Sequence, residues 1–352
     1  MKTSDEVRSF TVAADDDGIR VDRWFKRHLP QVGFGTVSKW ARTGQVRVDG
    51  KRVKPDDRLV EGQQIRVPPG GDAPHKKDKP KRELSKAEIE QAEGMVIEKT
   101  KGALVLNKPP GLATQGGTNT FNHVDGLLDA YAPGEDEVRP RLVHRLDKDT
   151  SGVLLLAKYP KAAAQLSEKF RSRDMSKVYW AITVGVPNPP FGQIRCWMVK
   201  GIEDENEEDG YRVIHPKARG RRDADRERMF RSAQGVEGAR HSITDYAVIS
   251  TAGQKAAWVA LKPETGRMHQ LRFHMLEMNT SILGDFKYQS RREVPQGLAP
   301  GMHLHARSLI IPRQTGKPIK IVAPLPPHMK QTFESLGFLE QEAGKDPLAP
   351  FI

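Results

Sequence analysis

The stretch "RLVHRLDKDTSGVLLLAK", residues 141–158, sets Arg, Asp, Lys and Asp directly before the apolar run Val153-Leu154-Leu155-Leu156-Ala157. A charge at the edge of a buried strand needs a partner, because an isolated buried charge is very costly. Alternation up to Asp147, then the polar residues Lys148-Asp149-Thr150-Ser151-Gly152, puts Asp147 where a strand meets a loop. The stretch is therefore either a surface turn abutting the core or a site. A hydrolase reading of His144, Asp147 and Ser151 fails for want of a G-x-S-x-G elbow, and Ser151 with Gly152 reads as turn chemistry.

Moving outward, residues 160–170 predict a helix with Ala163, Leu166 and Phe170 turned inward. "KVYWAITVG" (177–185) predicts a strand. Val178, Trp180, Ile182 and Val184 share one of its faces, and Lys177, Tyr179, Ala181 and Thr183 share the other. Further on, Thr265 can cap a helix whose apolar stripe is Met268, Leu271 and Met275, beside a polar row of Arg267, Gln270 and His274. On such a helix His269 and His274 would point about 140° apart, which excludes a shared metal ion. His303 and His305 share a strand face but lack a third ligand at a recognisable spacing, so no metal is expected. Upstream, "ALVLNKPPGLATQGG" is an apolar strand broken by Pro109-Pro110-Gly111.

A chain of 352 residues suits two domains. Its net charge of +12 points to a polyanionic partner, nucleic acid being the commonest. The single cysteine, Cys196, permits neither an internal disulfide nor a thiolate zinc cluster. "MKTSDEVRSF" has no apolar core of the signal-peptide kind and no segment approaches a membrane span, so a cytoplasmic protein is expected.

Residues 17–67 read as a small unit. Val21, Trp24, Phe25 and Leu29 recur at helical spacing; Thr36 offers an N-cap for a second helix carrying Val37 and Trp40, and Gly44 its stop. "QVRVDGKRV" then alternates around an Asp49-Gly50 hairpin turn. Arg20, Arg23, Lys39, Arg42, Arg47, Lys51 and Arg52 would meet phosphates there without reading sequence. Residues 68–94, rich in Pro, Gly and Lys, read as a flexible basic linker ending in a short helix at 86–92. Residues 95–340 form the second domain. Within it 202–239, acidic then basic, read as a surface excursion that is mobile without RNA, and the chain past 339 as frayed.

The layout of 17–67 resembles the S4-type RNA-binding domain, a small α/β fold. It departs from it at the second helix, where that family begins with Ser-Arg and this chain has Thr36-Val37. "HRLDKDTSG" (144–152), "KVYWAITVG" (177–185), "TGRMHQLRFH" with "ILGDFKY", "NKPPGL" (107–112) and "LHARSLII" (304–311) resemble the RluA family of pseudouridine synthases, in that family's order. The resemblance implies an α+β catalytic domain with a mixed, mainly antiparallel sheet, and conversion of uridine in RNA to pseudouridine without cofactor or metal. By the same match Asp147 is the essential carboxylate, and Arg267 is the cation that holds its pKa down. Tyr179 lies against the uracil near C5, Leu271 walls the pocket, and His144 and Lys177 face the substrate. Arg145 fills the space left by a flipped base. The implied partner is RNA, large-subunit ribosomal RNA before transfer RNA, rather than DNA or a membrane, and the implied state is a monomer. A non-catalytic assembly factor could bind RNA through the same surfaces but would have no use for Asp147, Tyr179 and Arg267.

Overall fold

The computed structural model describes residues 6–70, 83–116, 122–134, 137–172, 174–204, 208, 211–213, 226–313, 316–344 and 346–348. They fall into two units divided between Glu83 and Leu84.

The first unit runs β1 (Arg8–Thr11), α1 (Val21–His28), α2 (Phe34–Thr43), β2 (Arg47–Val48), β3 (Lys51–Arg52) and β4 (Gln64–Val67), with sheet order β1-β4-β2-β3. Val21, Trp24 and Phe25 of α1 and Val37 and Trp40 of α2 bury themselves against Val48, Ile65 and Val67 of the sheet and Val46 just before β2. Asp49 and Gly50 both have positive φ, as a two-residue turn matching strand twist requires. Two expectations change. The unit begins before residue 17, because β1 pairs with β4 from Arg8↔Val67 onward. The N-cap of α2 is Gly33 rather than Thr36: the Gly33 carbonyl already accepts from the Thr36 and Val37 amides.

The second unit runs α3 (Lys86–Gly94), β5 (Val96–Lys99), β6 (Ala103–Lys108), α4 (Val124–Leu127), β7 (Arg141–Leu142), β8 (Ser151–Ala157), α5 (Pro160–Arg171), β9 (Ser176–Val184), β10 (Phe191–Glu203), β11 (Tyr211–Val213), β12 (Glu227–Ser232), β13 (Arg240–Ala252), β14 (Ala256–Pro263), α6 (Gln270–Glu277), β15 (Leu304–Ile311), β16 (Ile319–Val322) and α7 (Pro327–Leu336). Its sheet has the order β11-β10-β13-β14-β9-β15-β8-β6-β5, with β12 on β10, β16 on β15 and β7 on β8. Among the described strands only β8 and β15 pair in parallel, so the sheet is mixed and mainly antiparallel. Among the described residues no helix is long and apolar enough to cross a membrane.

The apolar run that follows the charges is explained by β8, which is covered on both sides. Leu154 and Leu156 pack with Leu104, Leu106 and Leu127, while Val153 and Leu155 pack with Met175, Leu309 and Ile311. A strand with two buried faces loses its polar alternation. Beside it, Trp180, Ile182 and Trp258 lie under Met329 and Phe333 of α7, and Ala181, Val259 and Leu261 lie under Leu271 and Met275 of α6.

Ser151 and Gly152 are not turn residues. The turn is at Lys148-Asp149, and Ser151 opens β8, paired with His305. Gly152 sits at φ 108°, and a Cβ added to it would lie 2.3 Å from the Ala306 carbonyl oxygen. The parallel contact thus demands a residue without a side chain. Gly152→Ala is expected to destabilise the second unit by at least about 3 kcal/mol, combining backbone strain with overpacking, as a lowered urea midpoint would show.

Three boundaries also move. Helix α3 belongs to the second unit rather than to a linker, since Ala92 and Met95 enter its core; residues 71–82 lie outside the described residues. The segment 202–239 is partly sheet: β12 pairs with β10 from Trp197↔Ser232 to Ile202↔Glu227 and buries Met229, while 214–225 lie outside the described residues. The described part of the tail is held, because Ala343 and Leu348 pack in one cluster with Trp258 and Phe338; residues 345 and 349–352 lie outside the described residues.

Candidate active site

A cavity of about 450 Å³ opens in the second unit between the segment that precedes β8 and the loop that joins β14 to α6. Tyr179 of β9, Leu271 of α6 and Leu304 of β15 line it, along with His144, Arg145, Asp147, Lys177 and Arg267. The expected residues therefore converge on one hollow.

Asp147 is held at its rim by two clamps. Thr114 Oγ1 donates to the Leu146 carbonyl (2.7 Å) and accepts from the Leu146 amide (3.1 Å). On the other side, the fully buried Lys108 donates to the carbonyls of Pro109 (2.8 Å), Leu112 (2.7 Å) and Lys148 (2.9 Å). Burial pulls its ammonium down to about 7, while Asp149 and Asp147 pull the other way. Sequence reasoning passed over Lys108, whose only signal is a lysine ending an apolar strand just before Pro109-Pro110.

The Asp147 side chain is 27% exposed, and its Oδ2 lies 3.9 Å from Arg272 Nη1 and 4.0 Å from His269 Nε2. Arg272 is itself buried. Its Nε and Nη2 donate to Asp285 Oδ2 (2.6 Å) and Oδ1 (2.7 Å), which leaves Nη1 directed at Asp147. Such a fork fixes the guanidinium in one plane. The Asp285 carboxylate is held in turn by the amides of Lys287 and Tyr288.

The counter-ion of Asp147 is therefore Arg272 and not Arg267. Arg267 is exposed on the rim and donates through Nε to the His241 carbonyl (3.2 Å). The reason lies in where the helix starts. Thr265 does not cap it: its hydroxyl donates to Gln270 Oε1, and Gln270 donates on to Ile243 and Thr244 of β13. The chain passes through a left-handed His269 (φ 51°) before α6 begins at Gln270. Arg267 thus stands on a loop, while Arg272 faces inward from the first turn. His274, expected on a polar row, is buried and bonded to Ser242 and Thr244.

The carboxyl of Asp147 also departs from expectation in direction. Burial raises its pKa above the ordinary value, against the lowering effect of Arg272, Arg145 and Lys108. If the ionised form is the active one, kcat/KM should fall on the acid side with a midpoint above the usual carboxylate range, as a rate profile from acid to neutral pH would show.

The remaining side chains take distinct places. His144 Nε2 accepts from the Leu155 amide (2.8 Å) and its ring stacks on Phe170 at 4.3 Å. Burial, then Lys177, lowers its pKa to about 3, so the imidazole is neutral. Burial and the charge of Asp147 keep the Tyr179 phenol protonated. Lys177 lies 6.0 Å from the Phe170 ring centroid. Arg145 is exposed, and its guanidinium makes no hydrogen bond or ion pair among the described residues, so the alternative pairing with Asp149 is not formed. His303 bonds to Gly301 and Thr332, and His305 to Ser151 and Ala323, which occupies both nitrogens of each ring.

In the first unit Arg23, Lys39, Arg42, Lys51 and Arg52 are exposed. Arg20 is forked onto Asp22, and Arg47 donates to the carbonyls of Gly44 and Gly50.

A family model described as RNA pseudouridylate synthase matches residues 102–277. Over 332 residues the chain is 32% identical to the ribosomal large subunit pseudouridine synthase C of Yersinia pestis, covering 92% of this chain and 94% of that protein. It is 28% identical to RNA pseudouridine synthase 4, mitochondrial, of Arabidopsis thaliana, covering 96% and 82%. The solved structure of human RNA Pseudouridylate Synthase Domain Containing 4 superposes with a TM-score of 0.56 and 29% identity, over 71% of this chain and 97% of that one.

Proposed function

This chain belongs to the RNA pseudouridylate synthase family, and on that premise we propose that its substrate is a uridine in large-subunit ribosomal RNA, with Asp147 as the essential carboxylate. The observation that carries the reading is that Asp147, Arg272 and Tyr179 line one cavity large enough for a nucleotide, with Asp285 buried behind Arg272. The bond between ribose C1′ and uracil N1 breaks, the base turns while held, and C5 joins C1′. One proton leaves C5 and one arrives at N1, so the reaction is an isomerisation that consumes nothing.

Asp147 acts at the sugar, and Arg272 keeps its carboxylate aimed and charged in a site whose burial opposes charge. Tyr179 meets the base as a neutral phenol, able to donate or relay a proton but not standing as phenolate. Leu271 walls the base in. Extruding a uridine from the stack costs a few kcal/mol, and Arg145, planar and without a hydrogen bond or ion pair among the described residues, offers a replacement surface. Arg267, freed from the carboxylate, is placed on the rim to meet a phosphate. The basic first unit, read as S4-type, adds sequence-independent affinity. The similarity to a ribosomal large subunit enzyme of Yersinia pestis over nearly the whole chain favours ribosomal over transfer RNA.

The test is release of tritium from transcripts labelled at uridine C5, with large-subunit ribosomal RNA and transfer RNA supplied separately. Release from the ribosomal transcript supports the reading. Release from transfer RNA alone overturns the substrate, and release from neither overturns the reading as a whole.

A further inference from the structure

We propose that Phe286 is a specificity-determining residue whose ring stacks on the base adjoining the target uridine. This rests on the reading above, that an RNA strand enters the Asp147 cavity.

Phe286 is 65% exposed, the most exposed large apolar side chain among the described residues, and it joins no core cluster. Its neighbours Asp285 and Tyr288 are buried. The turn that carries it is pinned on every side. Asp285 Oδ1 accepts from the amides of Lys287 (2.9 Å) and Tyr288 (3.1 Å), and Lys287 Nζ donates to the Glu227 carbonyl (3.1 Å). The Tyr288 hydroxyl accepts from the Met229 amide (2.7 Å). A ring held out in water on a rigid support brings a contact surface without an ordering cost at the moment of binding.

Its position says what it would contact. The guanidinium of Arg272 lies over the ring, 6.0 Å from its centroid, and the same guanidinium approaches Asp147 at 3.9 Å. The ring is thus one side chain away from the carboxylate, within reach of a nucleotide next to the one whose C1′ meets Asp147. Unpaired RNA bases are recognised by stacking on aromatic faces and on guanidinium planes. A base on the open face would complete a stack of base, Phe286 and Arg272. A purine, with its larger face, would be preferred over a pyrimidine.

The test uses a short RNA spanning the modified uridine, with each neighbouring nucleotide replaced in turn by an abasic one. Phe286→Ala is expected to lower kcat/KM about 10-fold through KM, the scale of one lost stack, with an unchanged melting midpoint. Phe286→Tyr should retain activity and Phe286→Leu should behave like Phe286→Ala. In wild type one abasic neighbour should cost the same factor, and in Phe286→Ala that replacement should cost nothing further. An active wild type with an indifferent Phe286→Ala, or losses that multiply at every neighbour, overturns this inference alone. A wild type inactive on any RNA overturns the reading beneath it.

Discussion

Asp147→Asn should lower tritium release at least about a thousandfold, the scale of losing a group that acts on the transition state, while the thermal midpoint at neutral pH holds or rises. The second half follows from the direction of the carboxyl's shift. Burial raises its pKa in the folded chain, so the native state binds that proton more tightly than the unfolded chain does. Between the unfolded and folded values, and at every pH above them, the ionised side chain therefore works against folding; the deficit disappears as pH falls below the unfolded value. Asparagine keeps the shape and removes the charge. Thermal scans of both proteins at neutral and acidic pH check this, and a midpoint that drops by several degrees in the variant would show that the carboxylate supports the fold instead of straining it.

Arg272→Met should be damaging in two separable ways. Asp285 is wholly buried and would be left without its cation, a loss of about 3–5 kcal/mol for a broken buried pair. Asp147 would lose the group that aims it, and activity with it. Adding Asp285→Asn should recover much of the stability, because the amide oxygen can still accept from the Lys287 and Tyr288 amides. It should recover none of the activity. Urea midpoints and tritium release on the single and double variants separate the two effects, and an active double variant would show that Asp147 does not need Arg272.

The contrast between Arg267 and Arg272 shows where sequence reasoning stops. The two faces of β9 and the Asp49-Gly50 hairpin were legible because each depends on local alternation or turn chemistry; Asp147 stood out through the family resemblance, since β7 ends at Leu142 and residues 143–147 form no strand. The partner of Asp147 depends on where α6 begins, and that is decided by Thr265 and Gln270 bonding to β13 and by a left-handed His269. No helical wheel drawn from Thr265 can carry that information. Lys108 was invisible for a similar reason: one of its three acceptors, Lys148, is 40 residues away. Leu348 and β12 look polar or isolated in sequence and find their apolar neighbours only in the assembled sheet.

The parallel junction of β8 and β15 has a consequence for how the molecule comes into being. Ser151 and His305 touch across 154 positions of chain, and long-range strand pairing is slow to form. During synthesis the acid, Tyr179 and Arg272 all leave the ribosome well before the strand that closes the mount. A polypeptide ending at 277, where the family match ends, would carry those three residues yet lack Asp285 and β15. A chain stopped there holds the three side chains without the carboxylate that forks Arg272 or the strand that pairs with β8.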